Sequence, residues 1–212
     1  MRRSILITGC SSGIGFDSAL KFQQRGWQVI ASCRNAEDAK FLKNTYGLDI
    51  VCIDYEKPAT IENGFKEALA LTGGRLDVLF NNGAFAILAA VEDVPTDALR
   101  AIFEANFFGW HTLTRLALPV MFAQKSGRII QNSSVLGFAA MRFRGAYVAS
   151  KFALEGLTDT LRLELDGSGV HAILIEPGPI RTKIRENAFL QFNKWINWQE
   201  ARQKSTYQNK LI

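Results

Sequence analysis

Six short runs of almost continuously apolar residues recur along the chain, and longer segments with helical periodicity separate them. The runs are SILIT (4–8), WQVIAS (27–32), DIVCI (49–53), LDVLF (76–80), GRIIQNS (127–133) and VHAILI (170–175). Apolar runs of this length without alternation are typical of strands buried on both faces. The intervening segments predict helices at 14–25, 36–46, 58–72, 97–124 and 146–166.

Strands that alternate with helices predict a parallel sheet that is covered by helices on both faces. Right-handed crossovers favour an α/β, Rossmann-like, doubly wound sheet of six strands in the order 3-2-1-4-5-6. The 212 residues fit a single domain, 1–212, since domains commonly have about 100–250 residues. Residues 183–205, after the last strand, predict one helical segment that could act as a lid over a substrate.

Composition narrows the class of protein. The formal net charge of +5 comes from scattered bases, which favours a slight preference for anions over nucleic-acid binding. Cys10, Cys33 and Cys52 lack C-x-x-C spacing, so we predict neither a disulfide framework nor a metal site. The apolar run at the start is too short for a signal peptide, and no segment is long enough to span a membrane. We therefore expect a cytoplasmic protein.

The glycine-rich segment TGCSSGIG (8–15) follows the first predicted strand and opens the first predicted helix. Glycines here permit a tight turn and a close approach of the backbone to a ligand, and the free N–H groups of the helix start favour a diphosphate. The spacing is G-x-x-x-G-x-G, and a purely structural turn remains an alternative. The candidate diphosphate-binding residues are Gly9, Ser11, Ser12, Gly13, Ile14 and Gly15.

The end of the second predicted strand determines which dinucleotide the site prefers. A carboxylate there would bind the ribose 2′-hydroxyl of NAD, but this chain has Cys33 followed by Arg34. A guanidinium can bind a 2′-phosphate in a bidentate manner, so Arg34 favours NADP(H), with NAD(H) as the weaker expectation. The alternative is that Arg34 is an ordinary solvated loop residue.

Tyr147 and Lys151 in the segment YVASK are four residues apart on a predicted helix, so both side chains project from one face. Together with Ser134 and the segments TGCSSGIG, NNGA (81–84) and PGPIRT (177–182), they occur in an order that resembles the short-chain dehydrogenase/reductase family. The resemblance extends over nearly the whole chain. The segment GCSSGIG is similar to the corresponding segment of the hydroxysteroid- and retinol-dehydrogenase-like members of the family.

This resemblance implies a catalytic set of Asn106, Ser134, Tyr147 and Lys151. In the family, the tyrosine is the general acid/base, the lysine lowers its pKa, the serine holds the substrate oxygen and the asparagine continues a proton relay. A free tyrosine has a pKa of about 10, so basic action near neutrality needs a drop of about 3 units. A nearby ammonium and a positively charged nicotinamide ring would both lower the pKa of the tyrosine.

The resemblance also implies further contacts with the cofactor. Asp54 and Tyr55 would lie by the adenine, and Asn82 and Gly83 would lie against the adenosine ribose. The last loop and the catalytic pair would complete the site: Pro177, Gly178, Ile180, Thr182, Tyr147 and Lys151. The expected function is NADP(H)-dependent hydride transfer to or from a carbonyl or secondary alcohol. The substrate is expected to be a lipophilic small molecule, such as a steroid, a retinoid or a fatty derivative. A nucleotide-sensing binding protein without turnover is the alternative.

The chain departs from the family pattern at several points. It has NNGA where relatives usually have NNAG, which we expect to be tolerated because both residues are small. Arg142 and Arg144 lie between the serine and the tyrosine, where we favour solvated roles over contact with an anionic substrate. No seventh strand is predicted after Thr182.

Apolar residues on two of the predicted helices also favour a homodimer or homotetramer, because relatives pair these helices across a two-fold axis. They are Phe107, Phe108, Trp110, Leu154, Leu157 and Leu161.

Overall fold

The structure, a computed structural model, describes residues 2–210 of the chain, without the side chain of residue 210. Six parallel strands form one sheet in the order β3-β2-β1-β4-β5-β6, which confirms the predicted fold. The strands are β1 (Ser4–Ile7), β2 (Gln28–Cys33), β3 (Asp49–Cys52), β4 (Val78–Asn81), β5 (Gly127–Asn132) and β6 (Val170–Ile175). The carboxyl ends of all six therefore meet at one edge, where an open α/β sheet binds ligands.

Helices cover both faces of this sheet. They are α1 (Gly13–Gln24), α2 (Ala36–Tyr46), α3 (Pro58–Leu71), α4 (Thr96–Phe103), α5 (Gly109–Gln124), α6 (Gly145–Glu164), α7 (Ile184–Trp195) and α8 (Lys204–Lys210). The alternation of side chains along β2 shows how the two faces divide. Val29 and Ala31 join a core with residues of α1 and α2, whereas Ile30 joins a second core with residues of α3, α5 and α6.

The segment predicted as one helix over 97–124 is interrupted in the middle. α4 ends at Phe103, a π-helical turn occupies Glu104–Phe108, and α5 follows directly. Single π turns inside α-helices are rare, and they occur frequently at functional sites. Asn106, one of the predicted catalytic residues, lies at the centre of this turn and is fully buried.

The single helix predicted over 183–205 is wrong, because the structure has α7 and α8 with a turn between them. Ile196 leaves the helical conformation at the end of α7, with an extended backbone that its buried side chain anchors in the core. The fully buried Tyr207 then fastens α8 to the segment before α4. Its hydroxyl accepts a hydrogen bond from the Ala90 N–H at 2.9 Å and donates one to the carboxylate of Asp93.

Two residues that the sequence analysis assigned to an oligomer surface lie instead in the core. Trp110 has no exposed surface and Leu154 has 1%. The prediction failed for these two because their side chains belong to the buried faces of α5 and α6 and join the hydrophobic core. Phe108, by contrast, is 47% exposed.

Among residues 2–210, the structure contains no helix that is both long enough and apolar enough to cross a membrane.

Candidate active site

Three of the four predicted catalytic side chains converge beyond the carboxyl end of β5. Ser134 begins the short 3-10 turn that follows this strand, and its Oγ accepts a hydrogen bond from the Leu136 N–H at 3.1 Å. Tyr147 and Lys151 lie on the first two turns of α6, and the Lys151 ammonium lies 5.6 Å from the centre of the Tyr147 ring. All three side chains are buried, so the site is largely shielded from water.

Lys151 is an almost fully buried cation, with 1% of its surface exposed. Its Nζ donates a hydrogen bond to the main-chain oxygen of Asn132 at 2.7 Å and lies 4.3 Å from the centre of the Trp110 ring. Burial lowers the pKa of Lys151 from 10.5 to about 7, and the carboxylate of Glu155 acts in the opposite direction. The ammonium therefore titrates near neutrality in the protein without ligands.

Burial also raises the pKa of Tyr147 above its usual value of 10, and the nearby hydroxyl of Ser134 partly offsets this rise. In the absence of a bound cofactor, the phenol is therefore protonated at neutral pH. A protonated phenol beside a serine hydroxyl can donate a proton to a carbonyl oxygen, which is the chemistry of a general acid.

Asn106 fixes the position of neighbouring segments through its side chain. Its Oδ1 accepts from the N–H of Phe85 at 3.1 Å, and its Nδ2 donates to the Phe85 oxygen at 2.9 Å and to the hydroxyl of Ser150 at 3.2 Å. The Ser150 hydroxyl in turn donates to the main-chain oxygen of Tyr147 at 2.8 Å. The π turn is thereby tied to the helix that carries the tyrosine.

The glycine-rich loop has the geometry of a cradle for an anion. Gly9 and Gly13 have φ values of 67° and 64°, a left-handed conformation that favours glycine. Ser12 is the N-cap residue of α1, but its side chain accepts no hydrogen bond from the free N–H groups at the start of the helix. A Cβ at Gly13 would lie 3.2 Å from the Cβ of Thr182, so the last loop closes over the glycine loop. A diphosphate fits this arrangement of free donors and bare backbone.

Asn82 joins the ends of three strands at the same edge. Its N–H and Nδ2 donate to the Thr8 hydroxyl and main-chain oxygen at 2.8 and 2.9 Å, and its Oδ1 accepts from Nδ2 of Asn132 at 2.8 Å. Gly83 lies against Gly9: a Cβ at Gly9 would lie only 2.5 Å from the Gly83 Cα. The Gly-before-Ala order of NNGA thus places the residue without a side chain where two loops touch.

The two residues predicted at the adenine differ in accessibility. Asp54 lies just beyond β3, where its carboxylate accepts from the Glu56 N–H at 3.2 Å and pairs with Lys57 at 3.5 Å. The Tyr55 ring, by contrast, is buried beneath the loops. Its hydroxyl bonds to the Thr8 hydroxyl at 2.8 Å and to Oδ1 of Asn81 at 2.9 Å, and burial raises its pKa.

The remaining predicted contacts lie on exposed loops. Arg34 is exposed after β2, next to the buried Cys33. In the loop after β6, the main-chain oxygen of Pro177 accepts from the Val135 N–H at 3.2 Å, which places this loop beside the serine loop. Gly178 and Ile180 are exposed farther along it.

Arg142 and Arg144 occupy different environments. Arg142 is exposed, as expected for a solvated residue, but Arg144 is half-buried and donates to the Phe143 oxygen at 3.2 Å. Burial lowers the pKa of Arg144, and the nearby Arg185 lowers it further. Within residues 2–210, neither arginine forms an ion pair with a carboxylate.

Sequence reasoning missed two residues of this site. Asn132 supplies the acceptor for Lys151 and a bridge to Asn82, and Trp110 supplies the aromatic face below the ammonium. Asn132 could have been found as a polar residue at the end of an otherwise apolar strand. Trp110 has no comparable signal, because its place depends on the π turn. In the described part of the chain, no cluster of three or more His, Cys, Asp or Glu side chains could hold a metal ion.

The sheet order, the glycine cradle at the start of α1 and the Ser-Tyr-Lys group together define an α/β protein of the Rossmann type. The sequence model of the family described as "short chain dehydrogenase" matches residues 3–192. The chain therefore belongs to the short-chain dehydrogenase/reductase family, which confirms the predicted resemblance. Members of this family are oxidoreductases that bind a nicotinamide cofactor and act on CH–OH or C=O groups.

Several relatives have similarity over most of the chain. The "Uncharacterized oxidoreductase YbbO" of Escherichia coli K12 is 44% identical over 187 residues, 88% of this chain and 69% of that protein. The "NADPH-dependent 3-dehydrocapnine reductase" of Ornithobacterium rhinotracheale is 36% identical, with coverage of 86% and 67%. Human "Retinol dehydrogenase 8" is 31% identical, with coverage of 89% and 62%.

A solved structure agrees with the fold. The crystal structure of a short-chain dehydrogenase from Streptomyces avermitilis superposes with a TM-score of 0.81 at 33% identity. The match covers 85% of this chain and 67% of that one. The chain thus spans roughly two thirds of the length of these relatives.

Proposed function

We propose that the protein is an NADP(H)-dependent oxidoreductase that interconverts a carbonyl compound and its secondary alcohol, with Tyr147 as general acid/base. The observation that carries the proposal is the convergence of Ser134, Tyr147 and Lys151 in a buried group that hydrogen bonds connect to the glycine-rich loop. Because burial excludes water from the site, each electrostatic contact that these side chains make with a substrate oxygen becomes stronger.

The three side chains have separate roles in this proposal. In reduction, the protonated phenol of Tyr147 donates its proton to the carbonyl oxygen, and the Ser134 hydroxyl holds that oxygen by a hydrogen bond. The charged form of Lys151 lowers the free energy of the phenolate that remains. Asn106 acts as a positioning residue, since its amide holds Phe85 and Ser150 in place.

The chain supplies the contacts that a dinucleotide needs. The N–H groups at the start of α1 would hold the diphosphate, Asn82 and Gly83 would lie at the adenosine ribose, and Asp54 would accept from the adenine amine. The loop with Pro177, Gly178, Ile180 and Thr182 would close over the nicotinamide end. When bound, the nicotinamide supplies or accepts the hydride. Tyr55 would contribute its backbone at most, because its side chain is engaged inside the protein.

The test of the proposal is a titration with NADPH followed by a panel of carbonyl compounds. Oxidation of NADPH in the presence of a carbonyl, followed at 340 nm, separates an enzyme from a nucleotide-sensing protein, which would bind NADPH without consuming it. Exposed apolar side chains near the site, including Phe138, Met141 and Ile180, support lipophilic carbonyl compounds as the first members of the panel.

Replacement of Arg34 by alanine is expected to weaken binding of NADPH far more than binding of NADH. The lost contact is a charged hydrogen bond to the 2′-phosphate, which is worth about 1.5–3 kcal/mol. The NADPH-dependent relative supports this preference. Fluorescence titration of both cofactors measures the effect, and Arg25→Ala, at an exposed site after α1, is the control. An equal loss for the two cofactors would contradict the role of Arg34.

We also propose a homodimer or larger homo-oligomer that pairs through α4, α5 and α6. Phe108, Phe122 and Phe152 on this side are each at least 45% exposed, and Leu99 and Phe103 line a shallow apolar groove beside Phe108. Exposed apolar side chains on these helices favour association. Light scattering at micromolar concentration is expected to give at least twice the mass of one chain, and a monomer would contradict the proposal.

A further inference from the structure

The indole of Trp110 lies against the ammonium of Lys151. The Nζ atom is 4.3 Å from the ring centre, and both side chains are buried. An ammonium carries three N–H donors, and within the described residues only the Asn132 oxygen accepts a hydrogen bond from it. The negative face of the indole therefore replaces part of the hydration that Lys151 has lost.

The same indole also contacts the segment that we propose to hold the adenosine ribose. Its Nε1–H donates to the Gly83 oxygen at 2.8 Å, which fixes the orientation of the ring. A ring held at its edge in this way cannot turn its face away from Lys151 without breaking a buried hydrogen bond. The aromatic face is thus preorganised for the cation.

Few charges reach Lys151 from the elements around it. Its own helix presents Tyr147 and Glu155, β5 presents the uncharged Asn132 oxygen, and α5 presents Trp110. No carboxylate in residues 2–210 comes within ion-pair distance of the ammonium. Because burial lowers the pKa of Lys151 to about 7, the charged and neutral forms have similar free energies near physiological pH, and any loss of stabilisation shifts the balance towards the neutral form.

We infer that Trp110 is a positioning residue that favours the charged form of Lys151 and fixes the ammonium beneath Tyr147. The catalytic consequence rests on the proposed function, in which the charged lysine stabilises the phenolate. The electrostatic contact between Trp110 and Lys151 does not depend on the proposed function, since it exists in the protein without cofactor or substrate.

The test is an NMR titration of Lys151 in protein with ¹³C-labelled lysine and no ligand. The Cε resonance of Lys151 is assigned by its absence from Lys151→Met. Fluorinated tryptophans with one, two and three fluorine atoms, incorporated at position 110, weaken the negative face of the ring with little change in volume. The pKa of Lys151 is expected to fall stepwise, by about 1 unit in total, since a desolvated cation–π contact is worth about that shift.

Two substitutions separate the aromatic face from the hydrogen bond. Trp110→Phe retains an aromatic face but loses the bond to Gly83, so the pKa of Lys151 is expected to fall by less than in Trp110→Leu. Trp110→Leu loses both and is expected to lower it by about 1 unit. Leu113→Ala, which opens a cavity one turn along α5, is the control for a loss of packing and should leave the pKa unchanged.

A Lys151 pKa that is the same across the fluorinated series would overturn the inference. The fluorinated tryptophans keep the shape of the core, so the pKa of Lys151 can be measured across this series even if Trp110→Leu does not fold. Failure of the proposed oxidoreductase function has a different signature, namely no oxidation of NADPH by any carbonyl while the stepwise fall persists. In an active protein, the limb of the pH–rate profile that belongs to Tyr147 should also move to higher pH along the series.

Discussion

Replacement of Tyr147 by phenylalanine is expected to lower turnover by about 100- to 10,000-fold, which is the usual contribution of general acid/base catalysis. Phenylalanine retains the ring and its packing but has no proton to transfer. Affinity for NADPH should barely change, because the lost hydroxyl serves the reacting oxygen and not the fold. The measurement is the steady-state rate of NADPH oxidation together with a fluorescence titration of the cofactor.

Tyr55→Phe is the matched control for this prediction. It removes the hydroxyl of another buried tyrosine of the same edge of the sheet, one that bonds to Thr8 and Asn81 and faces no substrate. We expect it to lower stability without a comparable loss of turnover in the folded fraction. A Tyr147→Phe protein that works at the unmodified rate would end the proposed mechanism.

Replacement of Lys151 by methionine is expected to lower both turnover and affinity for NADPH. Methionine keeps most of the length of the chain but removes the charge that stabilises the phenolate and, by resemblance to the family, a hydrogen bond to the cofactor ribose. Residual activity should move to higher pH, because the tyrosine loses a neighbouring cation. The pH–rate profile and the cofactor titration measure the two effects separately.

The same substitution should change how stability depends on pH. An unfolded lysine keeps its proton up to about pH 10.5, whereas folded Lys151 loses it near pH 7, so the unfolded state binds more protons between these values. The free energy of unfolding should therefore rise by about 2 kcal/mol from pH 7 to pH 9. Above pH 9, buried thiols and phenols with raised pKa values oppose this rise. Denaturant titrations should find the rise in the unmodified protein and lose it in Lys151→Met.

The topology was predictable because buried parallel strands leave a strong pattern in the sequence. The runs SILIT and VHAILI lie where β1 and β6 form, and the order of the sheet follows from crossover handedness. The pattern is weaker at the edge of the sheet. Cys52 belongs to an apolar run but is exposed, since β3 has a neighbour on one side only.

The residues that sequence reasoning missed are those whose positions depend on irregular geometry. Trp110 and Phe108 are equally apolar in the sequence, but one is buried and the other is 47% exposed. Nothing local separates them, because the π turn sets the direction in which each one points. Tyr207 could not be assigned either, since its partners Ala90 and Asp93 are remote in sequence.

The π turn at Glu104–Phe108 also has a consequence for the register of the helix that follows. A π turn holds one residue more than the α-helix it interrupts, and each residue of an α-helix advances by about 100°. If this turn became regular α-helix without losing a residue, every later side chain would rotate by about that angle relative to α4. Gly109, whose missing side chain now makes room for the Tyr55 ring, would be among the first displaced. The π turn therefore accommodates its extra residue locally, and it is this irregular geometry that aims Gly109 and Trp110 at their partners in the core.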